Sequence, residues 1–254
     1  MKTVSINTHL LKMYDSVDEM PIVNFQKFNK LLLLDSGIGS TVDDVDTHLS
    51  HLASLIKSDI EKAQTEIQNL RQNLAMIVLN ISPKFMAFVP LVAEIDGKPL
   101  TDLSDENCIE TLKLLNTKVS SGFISTIIEN VKKKIQAELE LYFPSDFDSA
   151  KEKEYFQRIK ERTILVLESI SKGTDNSKLI EEIDKYFEQQ YKPNNFFGQN
   201  SIEISYDKSF ECSCMLISKQ LNFSSPKLMT VLQFYNAMEM IRKEAEALQK
   251  AYKR

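Results

Sequence analysis

Asp44, His48 and His51 form the grouping in this sequence that most resembles a metal site. Their spacing places the three side chains on one face of a helix. Imidazole and carboxylate groups bind zinc, but zinc sites commonly use three or four protein ligands. The third histidine, His9, is distant in sequence. We therefore interpret the group as polar residues on a solvated helix face and predict no metal.

The cysteines offer a second kind of chemistry. Cys212 and Cys214 are separated by one residue, which places their side chains on nearly opposite sides of a helix. No histidine lies close to either in sequence, so nothing local would activate a thiolate. With Cys108 the chain has three cysteines, too few for a disulfide framework. We expect free thiols in a reducing compartment.

A glycine-containing segment precedes the second predicted helix, where phosphate-binding loops are found. Gly37 and Gly39 lack the third glycine, the lysine and the preceding strand that such loops use. Ser40 and Asp43 have nearly the spacing of a capping box. The segment is therefore predicted to end one helix and begin the next.

Charge gives no support for a nucleic-acid or membrane partner. The chain carries 31 basic and 36 acidic residues, a net charge of −5, which does not attract polyanions. The lysine run at Lys132–Lys134 is typical of a solvated helix face. The carboxylates are scattered, and no pair has a local spacing suited to acid–base catalysis. We predict no enzyme activity, no cofactor, no nucleic-acid binding and no membrane binding.

Composition and periodicity favour a helical protein. Of 254 residues, 43% are hydrophobic and only 6 are glycine, which supports a buried core and disfavours glycine-dependent α/β and all-β folds. Apolar residues recur three and four apart, the period of a helix. The resulting fold class is mainly α, a bundle of about nine or ten helices. The predicted helices cover residues 21–36, 42–57, 60–81, 83–92, 104–115, 120–142, 149–172, 177–191, 207–221 and 230–254, with 42–81 forming an antiparallel hairpin.

Two places carry a strand signal, so at most a minor β element is expected. Ile202, Ile204 and Tyr206 alternate with polar residues, the period of a strand. Near residues 92–103 two alternatives stay open, an apolar helix ended or kinked by a proline and a short hairpin around Asp96-Gly97.

Pro144 and the turn formers after it predict a boundary between two helical subdomains, 1–144 and 149–254. One continuous domain is the alternative. Within the second part, several apolar residues are candidate contacts with a protein partner, and core packing is the competing explanation. These residues are Phe196, Phe197, Ile202, Ile204, Tyr206, Leu248 and Tyr252.

Several stretches of the chain together resemble one known protein family. They are Met20–Ser40, Asn80–Lys84, Ile95–Gly97 with Asp102–Glu106, Val131–Lys134, and Met229–Ala237. The family consists of uncharacterised proteins carried by tailed phages of gut Bacteroidetes, including crAss-like phages. None of these stretches is a motif for an enzymatic activity, and the resemblance supplies no catalytic residue.

The resemblance implies a product of the structural gene region of a phage. The expected function is that of a non-enzymatic virion protein, associated with portal, ring or tail components through helical contacts and present in multiple copies of a symmetric assembly. The expected location is the virion and, during assembly, the host cytoplasm. The alternative is a tail or capsid assembly chaperone, or a scaffold, that is absent from the mature particle.

Overall fold

The computed structural model describes residues 1–79, 82–115, 121–144, 150–190 and 192–252. Within these ranges lie ten α-helices, two 3₁₀ turns and one four-stranded antiparallel sheet. The mainly α fold class, with about nine or ten helices and a minor β element, is confirmed. The predicted helix limits at residues 81, 120, 149, 191 and 254 lie outside the described residues.

The helices are α1 (Ile22–Ile38), α2 (Val42–Leu55), α3 (Ile60–Leu79), α4 (Pro83–Met86), α5 (Asp105–Leu114), α6 (Ser121–Tyr142), α7 (Ala150–Lys172), α8 (Ser177–Gln190), α9 (Ile202–Leu221) and α10 (Val231–Tyr252). The strands are β1 (Lys2–Ile6), β2 (His9–Met13), β3 (Val92–Ile95) and β4 (Lys98–Pro99). The 3₁₀ turns cover Val89–Leu91 and Pro226–Leu228.

The sheet has the order β1-β2-β3-β4. Strands β3 and β4 form the hairpin that the sequence left as one of two alternatives, and Asp96 and Gly97 both have the positive φ of a tight hairpin turn. The N-terminal hairpin of β1 and β2 was not predicted. Its buried residues Ile6, Leu11 and Met13 lie on alternate positions, so one face of the hairpin joins the core.

The predicted strand at residues 202–206 is wrong, because these residues form the first turns of α9. Ser201 caps the helix, and its Oγ accepts a hydrogen bond from Ile204 N at 3.3 Å. Lys30 on α1 binds both Glu203 and Asp207, at 2.9 and 2.7 Å. The two carboxylates are four residues apart and reach one lysine only on a helix. Alternation over five residues was too short to identify a strand.

Helix α1 is the centre of the core. Its buried face includes Phe25, Phe28 and Leu31, and it contacts α3, α4, α9, α10 and both 3₁₀ turns. Full burial of one such side chain contributes about 1.5–3 kcal/mol to stability. The helix begins after Pro21 and ends before Gly39, whose φ is 79°. Gly39 ends the helix as predicted, whereas Gly37 lies inside it, so α1 continues two residues beyond the predicted end at residue 36.

The C-terminal helix is attached to the start of α1 through the backbone. Ile22 N donates to Met229 O and Val231 N donates to Met20 O, both at 2.9 Å. Thr230 and Gln233 form the predicted capping box, since Thr230 N donates to Gln233 Oε1 and Gln233 N donates to Thr230 Oγ1.

Contacts group the chain into two compact units, Met1–Leu139 with Asn194–Arg254, and Glu140–Pro193. The prediction grouped residues 149–254 as one subdomain. The contacts instead group residues 194–254 with the N-terminal part, because α9 and α10 both contact α1. The predicted boundary segment, residues 145–149, lies outside the described residues.

The second unit contains the helical hairpin of α7 and α8. Gly173, with a φ of 65°, ends α7 as predicted. Arg162 Nε donates to Asp184 Oδ1 at 2.6 Å, and the Arg158 guanidinium lies 5.4 Å from the centre of the Tyr186 ring. These contacts identify the side of α7 that faces α8.

Candidate interaction surface

Helices α2 and α3 expose apolar residues at a regular spacing. Val42, Leu49 and Ile56 recur every seven residues along α2 and the residue after it, and Ile60, Ile67 and Leu74 do so along α3. Each of the six is between 38% and 70% exposed. We name the first set the α2 row, the second set the α3 row, and both together the outer strip.

The two rows lie on the same side of the hairpin. At 100° per residue, Val45 and Leu52 lie between the α2 row and the buried residues of α2. Ala63 and Leu70 have the same position on α3. On both helices, the exposed row, the intermediate residues and the buried residues therefore follow one another in the same angular order. Because the two helices run antiparallel, the two rows lie on the same side of the contact between the helices, away from the buried residues.

The opposite side of α3 buries polar residues. Glu66 and Asn73 have no exposed surface, and Asn69 is 1% exposed. This arrangement inverts the usual one, in which a helix buries its apolar residues and exposes its polar ones. The apolar spacing of α3 is typical of residues that pack between helices, but the structure leaves a large part of Ile60, Ile67 and Leu74 exposed.

A hydrogen-bond network explains why the polar side of α3 faces inward. His48 Nδ1 lies 2.7 Å from Glu66 Oε1, and His48 Nε2 lies 2.5 Å from Ile38 O. Asn73 Nδ2 donates to the same carbonyl at 3.3 Å, and Asn69 Nδ2 donates to Asn194 O at 3.2 Å. Buried polar groups are favourable when they are paired, so these hydrogen bonds fix the orientation of α3 and keep the outer strip exposed. Among the described residues, Asn69 Oδ1 and Asn73 Oδ1 are buried without a hydrogen-bond partner.

The predicted metal candidates do not converge on one point. Asp44 caps α2, accepting hydrogen bonds from Ser40 N and Thr41 N at 3.0 and 2.9 Å, and so the capping box begins one residue later than predicted. Burial would raise the pKa of Asp44, but these bonds and the Thr41 hydroxyl lower it below the ordinary aspartate value. No three His, Cys, Asp or Glu side chains among the described residues are placed to hold a metal.

The solvated-face interpretation of the histidines is wrong for His48, which is buried. It hydrogen-bonds Glu66 and the end of α1 instead of facing solvent. His51 lies farther from the carboxylate, with Nδ1 3.5 Å from Glu66 Oε1. The spacing of Glu66, Asn69 and Asn73 at positions i, i+3 and i+7 was a signal of a buried polar face that the sequence analysis missed.

The structure also shows where the cysteines, the glycine-containing turn and the lysine run lie. Cys108 and Cys214 are buried and Cys212 is exposed, and burial raises the pKa of Cys108 to about 11. In the predicted turn before α2, the backbone N–H groups of Ser40 and Thr41 donate hydrogen bonds to the Asp44 carboxylate. Lys134 binds Asp15 at 3.1 Å.

The predicted partner contacts are divided between core and surface. Phe196 is buried, with its ring tip against Gly37 of α1. Tyr206 is half-buried, and burial raises its pKa above the ordinary tyrosine value. Ile202 is also half-buried, whereas Phe197, Ile204 and Leu248 are exposed. The side chain of Tyr252 lies outside the described residues, and these seven contacts stay a prediction.

A second row of exposed apolar residues lies on α7. Phe156, Ile159, Leu167 and Ile170 are all exposed, and their spacing places them on one face, about 120° around the helix from the arginines that contact α8. Phe143 and Ile183 are the only buried apolar residues among the described residues of this unit. We name Phe156, Ile159, Leu167 and Ile170 the α7 row.

No family model, curated protein or solved structure matches this chain. Among the described residues, no single helix is long and apolar enough to cross a membrane, and one bent pair, Ile60–Leu79 with Pro83–Leu91, passes by length and composition only. Arguments about function therefore rest on the geometry of the exposed surfaces.

Proposed function

We propose that this protein is a non-enzymatic docking protein that binds other polypeptides through exposed helical faces. The α7 row is the observation that carries the proposal. A helical hairpin of this size cannot bury enough apolar surface to be stable by itself, and the described part of this unit buries few apolar residues. An exposed apolar row is then explained by contact with another protein surface.

The sequence resemblance supplies the biological setting of the proposal. It favours a virion protein that contacts portal, ring or tail components. The scattered carboxylates, the histidines in a structural network and the buried cysteines support a function without a reacting centre. The fully buried centre of a protein–protein interface is more apolar than the rest of the protein surface, which suits the composition of the α7 row.

The spacing of the α7 row specifies the kind of contact. Phe156, Ile159, Leu167 and Ile170 follow the i, i+3, i+11, i+14 pattern of a helix that inserts into a groove or packs against another helix. Lys160 is exposed on the same helix and lies next to Phe156 and Leu167 at 100° per residue. The proposed partner surface is therefore an apolar groove with an acidic residue at the edge that faces Lys160.

The test compares incorporation into phage particles. A phage that encodes the chain is grown with Phe156→Asp and Leu167→Asp together, and the chain is quantified by mass spectrometry in purified particles. Gln157→Asp with Glu161→Asp is the control, because both residues are exposed on the same helix but outside the α7 row. We expect the wild type and the control in stoichiometric amounts and the row variant to be lost.

The outcome separates the two candidate roles. Incorporation of the row variant at the wild-type level would contradict docking through α7. Absence of the wild-type chain from particles, combined with its co-purification with structural proteins from infected cells, would identify the assembly chaperone or scaffold instead. Absence from both would overturn the proposed function.

A further inference from the structure

We propose that the outer strip binds the outer strip of a second copy of this chain, so that two α2–α3 hairpins form a four-helix interface. The α2 row packs antiparallel on the α2 row of the second copy, and the α3 row does the same. This inference does not rest on the proposed function, because it uses a different unit of the chain and a different partner.

The spacing of the strip indicates a helical partner. A repeat of seven residues is the coiled-coil period, which keeps one apolar row against another helix over several turns. Each row has three members at this spacing, and Val78 continues the α3 row at the same angle and is 81% exposed. A partner of another shape would not follow this spacing along both helices.

The strip is also complementary to itself. Leu49 and Ile67 are the central members of their rows, and they lie at the same level of the hairpin, because His48 and His51 both approach Glu66. A two-fold axis through this level places Leu49 on Leu49 of the partner subunit and Val42 on Ile56 of the partner subunit. Both rows are then covered completely, and the assembly closes as a dimer.

The exposed area is sufficient for a stable dimer. The outer strip with Val78 contains seven apolar residues that are on average more than half exposed. Together they present on the order of 700 Å², close to the area of about 800 Å² that each partner buries in an interface of standard size. In the proposed dimer, the charged side of each helix stays exposed to solvent or to a further partner.

Charges beside the rows determine the antiparallel direction. Asp46 lies beside the first half of the α2 row and Lys57 beside its end, and Arg71 lies beside the second half of the α3 row. Antiparallel pairing of the α2 row with its own copy brings Asp46 towards Lys57 of the partner subunit. Parallel pairing would place the aspartates on aspartates, which is unfavourable.

The first test measures the mass of the protein in solution by sedimentation velocity. We expect the wild type at twice the 29.2 kDa of one chain. Leu49→Asp with Ile67→Asp places four carboxylates at the centre of the interface and should raise the dimer Kd about 100-fold or more. Ser50→Asp with Gln68→Asp is the matched control, because both residues are exposed next to the row members, and it should stay dimeric.

The second test uses cross-linking and does not depend on a disruptive variant. Leu49→Cys in a Cys212→Ser background places a cysteine on the two-fold axis, and a short bismaleimide should link two chains. Ser50→Cys in the same background should give much less of the linked dimer. A wild type that stays monomeric at every protein concentration accessible to the measurement, or equal cross-linking of the two cysteine variants, would overturn the inference.

Discussion

His48 Nδ1 lies 2.7 Å from Glu66 Oε1, and this contact joins α2 to α3 where Glu66 has no exposed surface. The second ring nitrogen, Nε2, faces Ile38 O, which can only accept a hydrogen bond. Nε2 therefore carries a proton, and the Nδ1–Glu66 contact requires one more proton shared between the imidazole and the carboxyl group. The pair connects the hairpin to the end of α1.

Removing the histidine should destabilise the protein more than removing both partners. His48→Leu removes the 2.7 Å contact of the fully buried Glu66 carboxyl group, and we expect a loss of about 3 kcal/mol in the free energy of unfolding. His48→Leu with Glu66→Leu should recover most of that loss. Urea unfolding at equilibrium measures both. Equal losses for the single and the double variant would contradict the account of the network.

Asp44 should make part of the stability dependent on acid pH. Its pKa is lowered in the folded protein by the hydrogen bonds from Thr41 and Ser40, which outweigh the effect of burial. A lowered folded pKa stabilises the protein above the unfolded pKa of about 4, and this contribution is lost as the pH falls through the folded value.

Thermal unfolding between pH 2 and pH 7 tests this dependence. Asp44→Asn should reduce Tm at pH 7 and flatten the decrease of Tm at acid pH. Asp43→Asn is the control, because Asp43 is exposed in the same turn and Asp44 supplies the capping carboxylate. The same acid slope in Asp44→Asn and the wild type would show that Asp44 does not contribute.

Phe196 should stabilise the protein, whereas its neighbour Phe197 should not. Phe196 is 7% exposed and lies against Gly37, and Phe197 is 39% exposed. Phe196→Ala should cost about 3–5 kcal/mol, and Phe197→Ala about 1 kcal/mol or less. Guanidinium unfolding of the two alanine variants is the measurement. An equal loss of unfolding free energy for Phe197→Ala and Phe196→Ala would contradict the finding that Phe196 is buried and Phe197 is exposed.

The cysteines should differ sharply in reactivity. Cys212 is exposed, whereas Cys108 and Cys214 are buried and have raised pKa values because of that burial. Since the thiolate is the reactive form, a thiol reagent at pH 8 should modify one cysteine in the folded protein and three in denaturant. Mass spectrometry of the labelled protein identifies the site. Rapid labelling of Cys108 in the folded state would contradict its burial.

Local signals predicted much of the fold. The stop at Gly39 and the capping box of Thr230 each depend on a few adjacent residues, whose backbone preferences are strong. The same kind of signal offered the Asp96-Gly97 turn as one of two alternatives, without deciding between them. The hairpin of α2 and α3 followed from its apolar period. Such features need no knowledge of the rest of the chain.

Features decided by distant contacts were not predictable in the same way. Residues 202–206 are helical because Ser201 caps α9 and because Lys30, far away in sequence, binds two carboxylates one turn apart. The period of α3 indicated a helix but did not show which side packs inward. That side is determined by His48 and Ile38, which pair with Glu66 and Asn73 only in the folded chain.

Cross-linking mass spectrometry of purified phage particles tests the central claim, that this chain functions by docking on other polypeptides. Lys160 is exposed beside Phe156 on α7, so an amine-reactive cross-linker should join it to one portal, ring or tail protein at stoichiometric yield. We predict that link together with a stoichiometric copy number of the chain. If the particles contained the chain but showed no cross-link between it and another protein, the claim would be contradicted.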